Sequence, residues 1–539
     1  MTTRSLTSLA VALSLSTAFA ADTPVPNNPP KPPVAKKTTP APENGDQKGQ
    51  PALPNDPKPE PKKEAPKPPP PRPKQEDFYL REEIPTPKGE VLELGSIAIM
   101  PDKKVAVASR RGDIWVCEGA YGDLSQVKWT LFARGLHEPL GMFYRDGSLF
   151  VTQRPEITKI TDLNGDGRGD RFETVTANWG INGDYHEYNF GSDPDPEGNV
   201  WVVHCLTGSA GAPKNSPWRG WCFRYNINTG EATPTCPGIR SPGGIGSNLA
   251  GDHFYTDNQG LWNGSSSLKW LKPGAFMGNP TGNHYHKLLD LEEPPKPKTG
   301  SRMLVEHKKD PRIQPPAVIL PHGMVGQSPT GIIPDATKGK FGPFEGQLLV
   351  GEQTHSQVQR VMLEKVNGMY QGACIKFLSG FRCGIVPIRR GDEATLFVGG
   401  TNRGWAARGG KNFTFERVRY IGKDTPFEIY NMTANPDGFT LTFTHEIDRE
   451  AAADVASYQA AAWTYIYQKG YGSPKVDQVT PTVEKATVSE DGKSVRLVVS
   501  PLTQGHVHHI NALGVRKSGG NLRPWHPNVY YTLNEIPTK

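Results

Sequence analysis

The sequence predicts an all-β protein: a six-bladed β-propeller, then a small Ig-like β-sandwich, with a disordered Pro/Lys-rich spacer in front. Three observations carry this. A Gly-led motif recurs between Val91 and Gly422, alternating strands follow Thr425, and Gly and Pro number 58 and 52 in 539 residues. Such Gly and Pro content favours turn-rich β architecture over helical bundles.

Each copy of the motif opens on a Gly, continues through an apolar step and a turn, and ends in a short strand. The copies begin LGSIAIMPDKKVAVAS at Leu94, LGMFYRDGSLFVTQ at Leu140, FGSDPDPEGNVWVVH at Phe190 and GGIGSNLAGDHFYTDN at Gly243. The last two are TGIIPDATKGKFGPFEGQLLVGE at Thr330 and CGIVPIRRGDEATLFVGG at Cys383. From Gly95 through Gly141, Gly191, Gly244 and Gly331 to Gly384 the steps are 46, 50, 53, 87 and 53 residues. Repeats of about 40–50 residues with several short strands are the mark of propeller blades. The long step places an insertion between the fourth and fifth copies. Leu261 to Pro321, rich in Trp, His and Pro, is expected to overhang one mouth of the channel.

Four segments follow: a signal peptide at 1–21, a spacer at 22–76, the propeller at 77–424 and the sandwich at 425–539. Met1 to Ala20 carries Arg4 as its only charge, an apolar run from Leu9 to Leu15 and an Ala18-Phe19-Ala20 ending before Ala21, the pattern of a cleaved secretory signal. The expected location is periplasmic or secreted, and no segment is long and apolar enough to span a bilayer. Residues 22–76 hold 19 of the 52 prolines and almost no large apolar residue, so they cannot bury a core. They also hold ten Lys or Arg against seven Asp or Glu, half of the formal charge of +6. The remainder is nearly neutral, with no basic block interleaved with aromatics, which argues against nucleic-acid binding.

Six cysteines (117, 205, 222, 236, 374 and 383) in an exported chain read as disulfide staples. The favoured bridge joins Cys374 and Cys383 across the Ser379-Gly380 turn, and two among Cys205, Cys222 and Cys236 are expected to pair. No CxxCH haem motif, nucleophile elbow, Walker loop or HExxH is present. After Thr425 the strands read FTLTFTHEI, SVRLVVS, HVHHINAL and VYYTL, with a short helix near Ala451 to Ala461. His506 and His508 share one strand face and His509 the other; without a further ligand at metal spacing they read as packing residues. His284 and His286 read as surface loop residues.

The most specific local signal runs from Asp162 to Glu173. Counting Asp162 as position 1, Asn164, Asp166 and Asp170 fall at 3, 5 and 9, Gly167 stands at the sharp turn, and Glu173 at 12 closes the shell. Arg168 at 7 supplies its carbonyl. This is a calcium-loop pattern set between strands, and Ca²⁺ is the expected metal.

Asp184-Tyr185-His186, followed by Asp195 to Asn199 and then VWVV, is similar to the soluble PQQ-dependent glucose/sorbosone dehydrogenases, six-bladed propellers that bind pyrroloquinoline quinone (PQQ) in the channel mouth. Gly238-Ile239-Arg240-Ser241-Pro242 resembles the segment whose Arg meets the cofactor. Phe254 to Gly260 resembles the strand whose following carbonyls hold a catalytic Ca²⁺, which assigns Gln259 and Gly260 to the cofactor site. Phe381-Arg382 resembles a segment whose Arg reaches the quinone. The wording DNQG, LKPGAFMGNP and the closing YTLN resembles exported dehydrogenase-like proteins of planctomycete-type bacteria. Ser241, Thr354 and Gly380 stand where that family has Asn, Lys and a second Arg.

The resemblance implies an exported oxidoreductase acting on a sugar or alcohol hydroxyl, with His186 as general base and a separate cytochrome or other protein as electron acceptor. The alternatives are a non-redox propeller that binds carbohydrate or another envelope polymer, and a Ca²⁺-dependent lactonase or lyase. The last needs carboxylates from several blades at the channel centre.

Overall fold

A computed structural model describes residues 70–206, 216–402 and 406–538. The expected signal peptide and residues 22–69 of the spacer lie outside the described residues.

Six four-stranded antiparallel sheets succeed one another along the chain. The first blade is Leu94–Ile99, Val105–Ser109, Ile114–Glu118 and Lys128–Ala133, and the second is Gly141–Arg145, Ser148–Thr152, Ile157–Thr161 and Arg171–Thr176. The third runs through Asn189–Pro194, Asn199–His204, Trp221–Asn226 and Ala232–Pro237; the fourth through Pro242–Ser247, His253–Asp257, Ser267–Trp270 and Val318–Ile319. The fifth comprises Pro329–Pro334, Leu348–Glu352, Gln357–Val366 and Met369–Leu378. The first strand of each blade packs against the first strand of the next, and the sixth returns to the first, which closes the ring.

The Gly that opens each motif copy has a steric cause. First strands crowd together around the axis, so a Cβ on Gly141 would lie 2.7 Å from the Gly191 carbonyl oxygen. One on Gly244 would lie 2.7 Å from the Gly331 Cα. These contacts are with main chain, which cannot yield, so only Gly fits.

The sixth blade is Ile385–Arg390, Leu396–Thr401 and Phe413–Tyr420, and its fourth strand comes from the start of the described chain, Tyr79–Glu83. Tyr79 pairs with Tyr420 and Glu83 with Glu416. The ring is thereby fastened by hydrogen bonds between its two ends. The chain joins the folded body earlier than composition indicates: the Pro71 carbonyl accepts from Arg523 N at 3.0 Å, and Gln75 Oε1 accepts from Ser379 N at 2.8 Å. The spacer therefore ends before residue 76.

The insertion lies within the fourth blade, between its third and fourth strands, and carries a 3₁₀ helix, Pro280–Leu288, and an α-helix, Met303–Lys309. It packs against the third blade and the sandwich, and only its start reaches the mouth, where Leu261 bridges Tyr471. Trp221 Nε1 donates to the Gly282 carbonyl at 2.8 Å, and Tyr467 N of the sandwich donates to the Ser301 carbonyl at 2.9 Å. His284 is exposed, and His286 Nδ1 lies 2.9 Å from the Leu291 carbonyl.

The sandwich has one sheet ordered Ile429–Asn435, Gly438–Phe443, Ser494–Ser500 and Thr482–Val488. Its other sheet is ordered Val476–Val479, Gln459–Thr464, His506–Asn511 and Asn528–Leu533, and is not separate from the propeller. Thr532, Tyr531 and Tyr530 pair with Gly372, Ala373 and Cys374 of the fifth blade, giving one continuous eight-stranded sheet. Met362, Ala373 and Ile375 of that blade share a core with Phe439, Leu497 and Val529 of the sandwich. His508 packs on Phe439, and the His506 ring nitrogens lie at the Gln504 and Asp477 carbonyls, so both are packing residues.

All six cysteines are buried and free. Cys374 Sγ lies 3.5 Å from the Ile319 carbonyl, while Cys383 Sγ lies 3.3 Å from Asn402 Oδ1, so their environments diverge and the expected bridge does not form. Cys222 and Cys236 are cross-strand neighbours, yet each thiol turns to a carbonyl, Phe223 and Lys272 respectively. Burial raises the Cys205 thiol to about 11 and Cys117 to about 12, which leaves them unreactive.

A buried ion pair ties the two halves together. Arg360 and Glu428 are both fully buried, with their charged groups 3.7 Å apart. Arg360 also donates to Gln347 Oε1 at 2.7 Å and to the Ile429 carbonyl at 3.0 Å. Removing one partner of such a pair costs about 3–5 kcal/mol. Glu428→Gln should therefore lower the melting temperature of the whole body in a single calorimetric transition. Two transitions, with only one displaced, would show that propeller and sandwich unfold independently.

Candidate functional site

Successive strands in a blade alternate in direction, so the turns between first and second strands and between third and fourth strands share one face of the ring. Links from second to third strands, and from one blade to the next, share the other face. A cavity of about 340 Å³ opens on this second face, walled by Tyr185, His186, Arg240, Ser241, Thr354 and Tyr471 among others. It contains no Asp or Glu among its described lining residues. A narrower cavity of about 250 Å³ lies toward the opposite face, walled by first-strand glycines. There the Arg389 guanidinium spans the axis to Asp193 at 2.6 Å and to the Ile97 and Met142 carbonyls. That end is a bolt between blades; the convergent polar side chains are at the mouth.

His186 is held by its loop. Asp184 Oδ1 accepts from His186 N at 2.8 Å and stands 3.7 Å from Nδ1. The loop is gripped from below by Arg154, which donates to the Asp184 carbonyl at 2.5 Å and the Tyr185 carbonyl at 2.6 Å. Arg154 Nε is fixed by Glu138 Oε2 at 2.7 Å, and Glu138 Oε1 takes Arg110 Nε at 2.9 Å. Tyr188 lies between the two guanidinium groups, each 5.4 Å from its ring centre. Glu138 adopts φ +52°, a left-handed backbone that a non-Gly residue holds only where its surroundings demand it. None of Arg110, Glu138, Arg154 or Tyr188 carries a sequence motif, and only the fold brings them together.

The His186 pKa is lowered below its ordinary value of 6.5, first by burial and then by the positive charges of Arg240 and Arg154, against the opposing pull of Asp184. Its imidazole is therefore neutral at pH 7 and able to accept a proton.

Arg240 lines the same cavity. It donates to the Gln259 carbonyl at 3.0 Å, lies 5.3 Å from the Tyr471 ring centre, and makes no ion pair among the described residues. It packs so closely on Gly260 that a Cβ there would lie 2.2 Å from the Arg240 Cζ. Gln259 and Gly260 thus reach the site through Arg240: the Gln259 carbonyl, expected to face a cation, is occupied by a guanidinium. Arg382 is not brought in. It is exposed, with its N donating to Glu416 Oε1 at 2.8 Å and its carbonyl accepting from Lys411 N, which holds its backbone in the link before the sixth blade. Gly380 is a left-handed turn residue whose carbonyl accepts from Arg81.

The Asp162 to Glu173 loop joins the third and fourth strands of the second blade, on the face opposite the mouth. Asp162 accepts from Gly165 N and Gly167 N, Asn164 from Asp166 N, Asp166 from Arg168 N, and Asp170 from Leu163 N and Asn164 N. Glu173 does not close this set. The chain enters its fourth strand at Arg171, and the Glu173 carboxylate lies 3.1 Å from Arg171 and 3.9 Å from Lys159. Among the described residues no group of three or more His, Cys, Asp or Glu could hold a metal ion. The loop offers hard oxygens without the closed shell that its spacing predicts.

Residues 90–373, more than half of the chain, match the family described as "Domain of unknown function (DUF7133)". No curated protein matches the sequence. Among solved structures the chain is similar to a putative oxidoreductase (glucose dehydrogenase) of Thermus thermophilus, at 17 % identity and TM-score 0.45, covering 63 % of this chain and 99 % of that one. It is also similar to the PQQ-bound aldose sugar dehydrogenase of Streptomyces coelicolor, at 14 % identity and TM-score 0.44, covering 64 % and 99 %. A third is the calcium-binding protein regucalcin of Agrobacterium tumefaciens, at 13 % identity and TM-score 0.37, covering 62 % and 94 %.

The electrostatics of His186 give a pH prediction. The Asp184 carboxylate raises the His186 pKa, so Asp184→Asn, which keeps an acceptor for His186 N, should lower it further. In an NMR titration the His186 ring should titrate below pH 6.5 in the parent and at still lower pH in the variant. Titration at or above 6.5, or an upward shift in the variant, would contradict the assignment of charges around the ring.

Proposed function

This chain belongs to the DUF7133 family, and we propose that it is an exported propeller oxidoreductase that oxidises a sugar or alcohol hydroxyl in the mouth cavity, with His186 as general base. The carrying observation is the pairing, in one cavity without acidic lining, of a neutral imidazole with a guanidinium that has no carboxylate partner among the described residues.

A flat, multiply carboxylated quinone such as PQQ suits that donor set. Arg240 is the cation for one carboxylate, and Ser241, Thr354, Asn258 and Gln353 line the same cavity with hydroxyl and amide groups. Charge-assisted bonds from guanidinium to carboxylate are the strong ones in such sites. The quinone, when bound, supplies the acceptor for the hydride that leaves the carbinol carbon. His186 takes the hydroxyl proton as that hydride departs, and burial keeps the imidazole ready to do so. The Arg154 grip on the Asp184 and Tyr185 carbonyls keeps the ring in place. A lactonase or lyase centred on a mouth metal has less support, because the cavity wall supplies no carboxylate among its described residues. A separate electron acceptor, such as a cytochrome, reoxidises the quinone in this reading.

Two measurements test the proposal. PQQ added to the purified protein should bind with a change in absorbance, and Arg240→Gln should weaken that binding without altering the melting temperature. His186→Ala should retain PQQ binding and lose about 10²-fold or more in dye-linked oxidation, the usual scale for a general base. Binding that is indifferent to Arg240, or oxidation that is indifferent to His186, would overturn the assignment; PQQ binding with no oxidation across a broad sugar and alcohol panel would favour the carbohydrate-binding propeller.

Calcium enters the proposal at the Asp162 loop, remote from the mouth, as a structural ion held by Asp162, Asn164, Asp166, Asp170 and the Arg168 carbonyl, without Glu173. A cation bound only by the folded chain stabilises it by about 2.7 kcal/mol at a hundredfold excess over Kd. Chelation should lower the melting temperature, the effect should persist in Glu173→Gln and should vanish in Asp166→Asn. A melting temperature indifferent to chelator means a polar turn only.

A further inference from the structure

The mouth cavity is not built by the propeller alone. Tyr471 belongs to the sandwich, in the loop between Gln459–Thr464 and Val476–Val479, yet it lines the same cavity as His186 and Arg240. It is 64 % exposed, the highest value among the exposed large hydrophobic residues. Its exposure is not that of a loose loop tip. The segment around it is zipped to the propeller along 260–264: Gly472 N donates to the Gly260 carbonyl at 3.0 Å, Ser473 N to the Gly264 carbonyl at 2.9 Å, and Trp262 N to the Gln468 carbonyl at 2.8 Å. Tyr471 itself forms an isolated bridge with Leu261. Gly472, with φ +69°, makes the turn, and a Cβ there would lie 2.6 Å from the Gln259 side chain. The Arg240 guanidinium covers one face of the Tyr471 ring, 5.3 Å from its centre, and the residue keeps its high exposure on the remainder.

A second exposed tyrosine lines the cavity beside the base. Tyr185 is 37 % exposed and meets the His186 ring edge-on at 5.1 Å. Leaving a rigid aromatic face in water forgoes the burial that such rings otherwise gain. Two of them in one cavity with a proton acceptor suit a ligand that has an apolar ring face as well as hydroxyl groups. A small alcohol has no such face. A pyranose does: its axial C–H groups form a patch that stacks on an aromatic ring while its equatorial hydroxyls remain free for hydrogen bonds.

We infer that Tyr471 is the sugar-binding platform of the site, supplied by the sandwich, and that the substrate is a pyranoside held between Tyr471 and Tyr185. This rests on the reading of the mouth as the active site, and narrows its substrate from any alcohol to a carbohydrate. The sandwich is then part of the site, which explains why it is fused to the fifth blade through a continuous sheet.

Saturation-transfer NMR on the full chain, without added cofactor, tests this independently of redox chemistry. The probes are methyl β-glucopyranoside, cellobiose and xylobiose. The parent should transfer saturation to the ring C–H protons of at least one of them. Tyr471→Ala should weaken that binding about tenfold, equivalent to 1.4 kcal/mol, with the melting temperature unchanged; Tyr471→Phe should retain it. Transfer that persists unchanged in Tyr471→Ala would overturn the inference, as would absence of transfer from the parent to every probe. A lowered melting temperature with undiminished transfer would assign Tyr471 to anchoring the loop, which also overturns it. Saccharide binding that depends on Tyr471 in a protein that oxidises nothing would leave the platform standing and remove the oxidoreductase reading instead.

Discussion

Three residue pairs, Gly372 with Thr532, Ala373 with Tyr531 and Cys374 with Tyr530, join the outer strand of the fifth blade to the last strand of the chain. Without that pairing the fifth blade would end on an exposed edge, and the two halves would lose the sheet they share. With it, eight strands form one sheet, and the core beneath contains residues from both halves. The buried Arg360–Glu428 pair adds a second tie between the halves. The position of Tyr471 at the propeller mouth follows from this, because the loop that carries it grows from strands of the shared sheet.

On the propeller side the site depends on a second constraint, the grip of two arginines on one carboxylate. Glu138 holds Arg110 and Arg154, and Arg154 holds the Asp184 and Tyr185 carbonyls, so the loop that carries His186 is fixed through its main chain while Asp184 faces the ring. The left-handed backbone of Glu138 is the local cost of that arrangement. Burial and the neighbouring guanidinium groups then keep the imidazole neutral. Geometry and electrostatics act in the same direction here, since Arg154, which orients the loop, also lowers the affinity of His186 for a proton.

The blades were legible in the sequence because their cause is local and repeated. The repeat glycines stand where neighbouring blades crowd together, against main chain at Gly95, Gly141 and Gly244 and against the Thr152 side chain at Gly191, so Gly95 through Gly384 recur at blade spacing. His186 and Arg240 were marked by the resemblance of their segments to a known family, and both line the cavity. Other features were not legible. The closing strand Tyr79–Glu83 follows a proline-rich tract and pairs with residues more than 330 positions away, which no local pattern encodes. Tyr471 lies in a Gly-rich loop whose role depends on a sheet shared between distant segments. The cysteines misled because residue type says nothing of direction: Cys374 and Cys383 flank a turn but face different neighbours. Spacing likewise placed Glu173 in a twelve-residue loop, whereas the hairpin context returns the chain to a strand at Arg171 and turns that carboxylate to Arg171 and Lys159.

The central claim is that one cavity, made jointly by the propeller mouth and the sandwich loop, is where this protein does its chemistry. Hydrogen–deuterium exchange with and without PQQ measures it most directly. The account predicts slowed exchange in three separate segments at once, around 184–188, 238–243 and 466–473, with no change in 162–173 on the opposite face. Protection confined to the 162–173 face, or protection of the propeller segments with 466–473 unaffected, would contradict it.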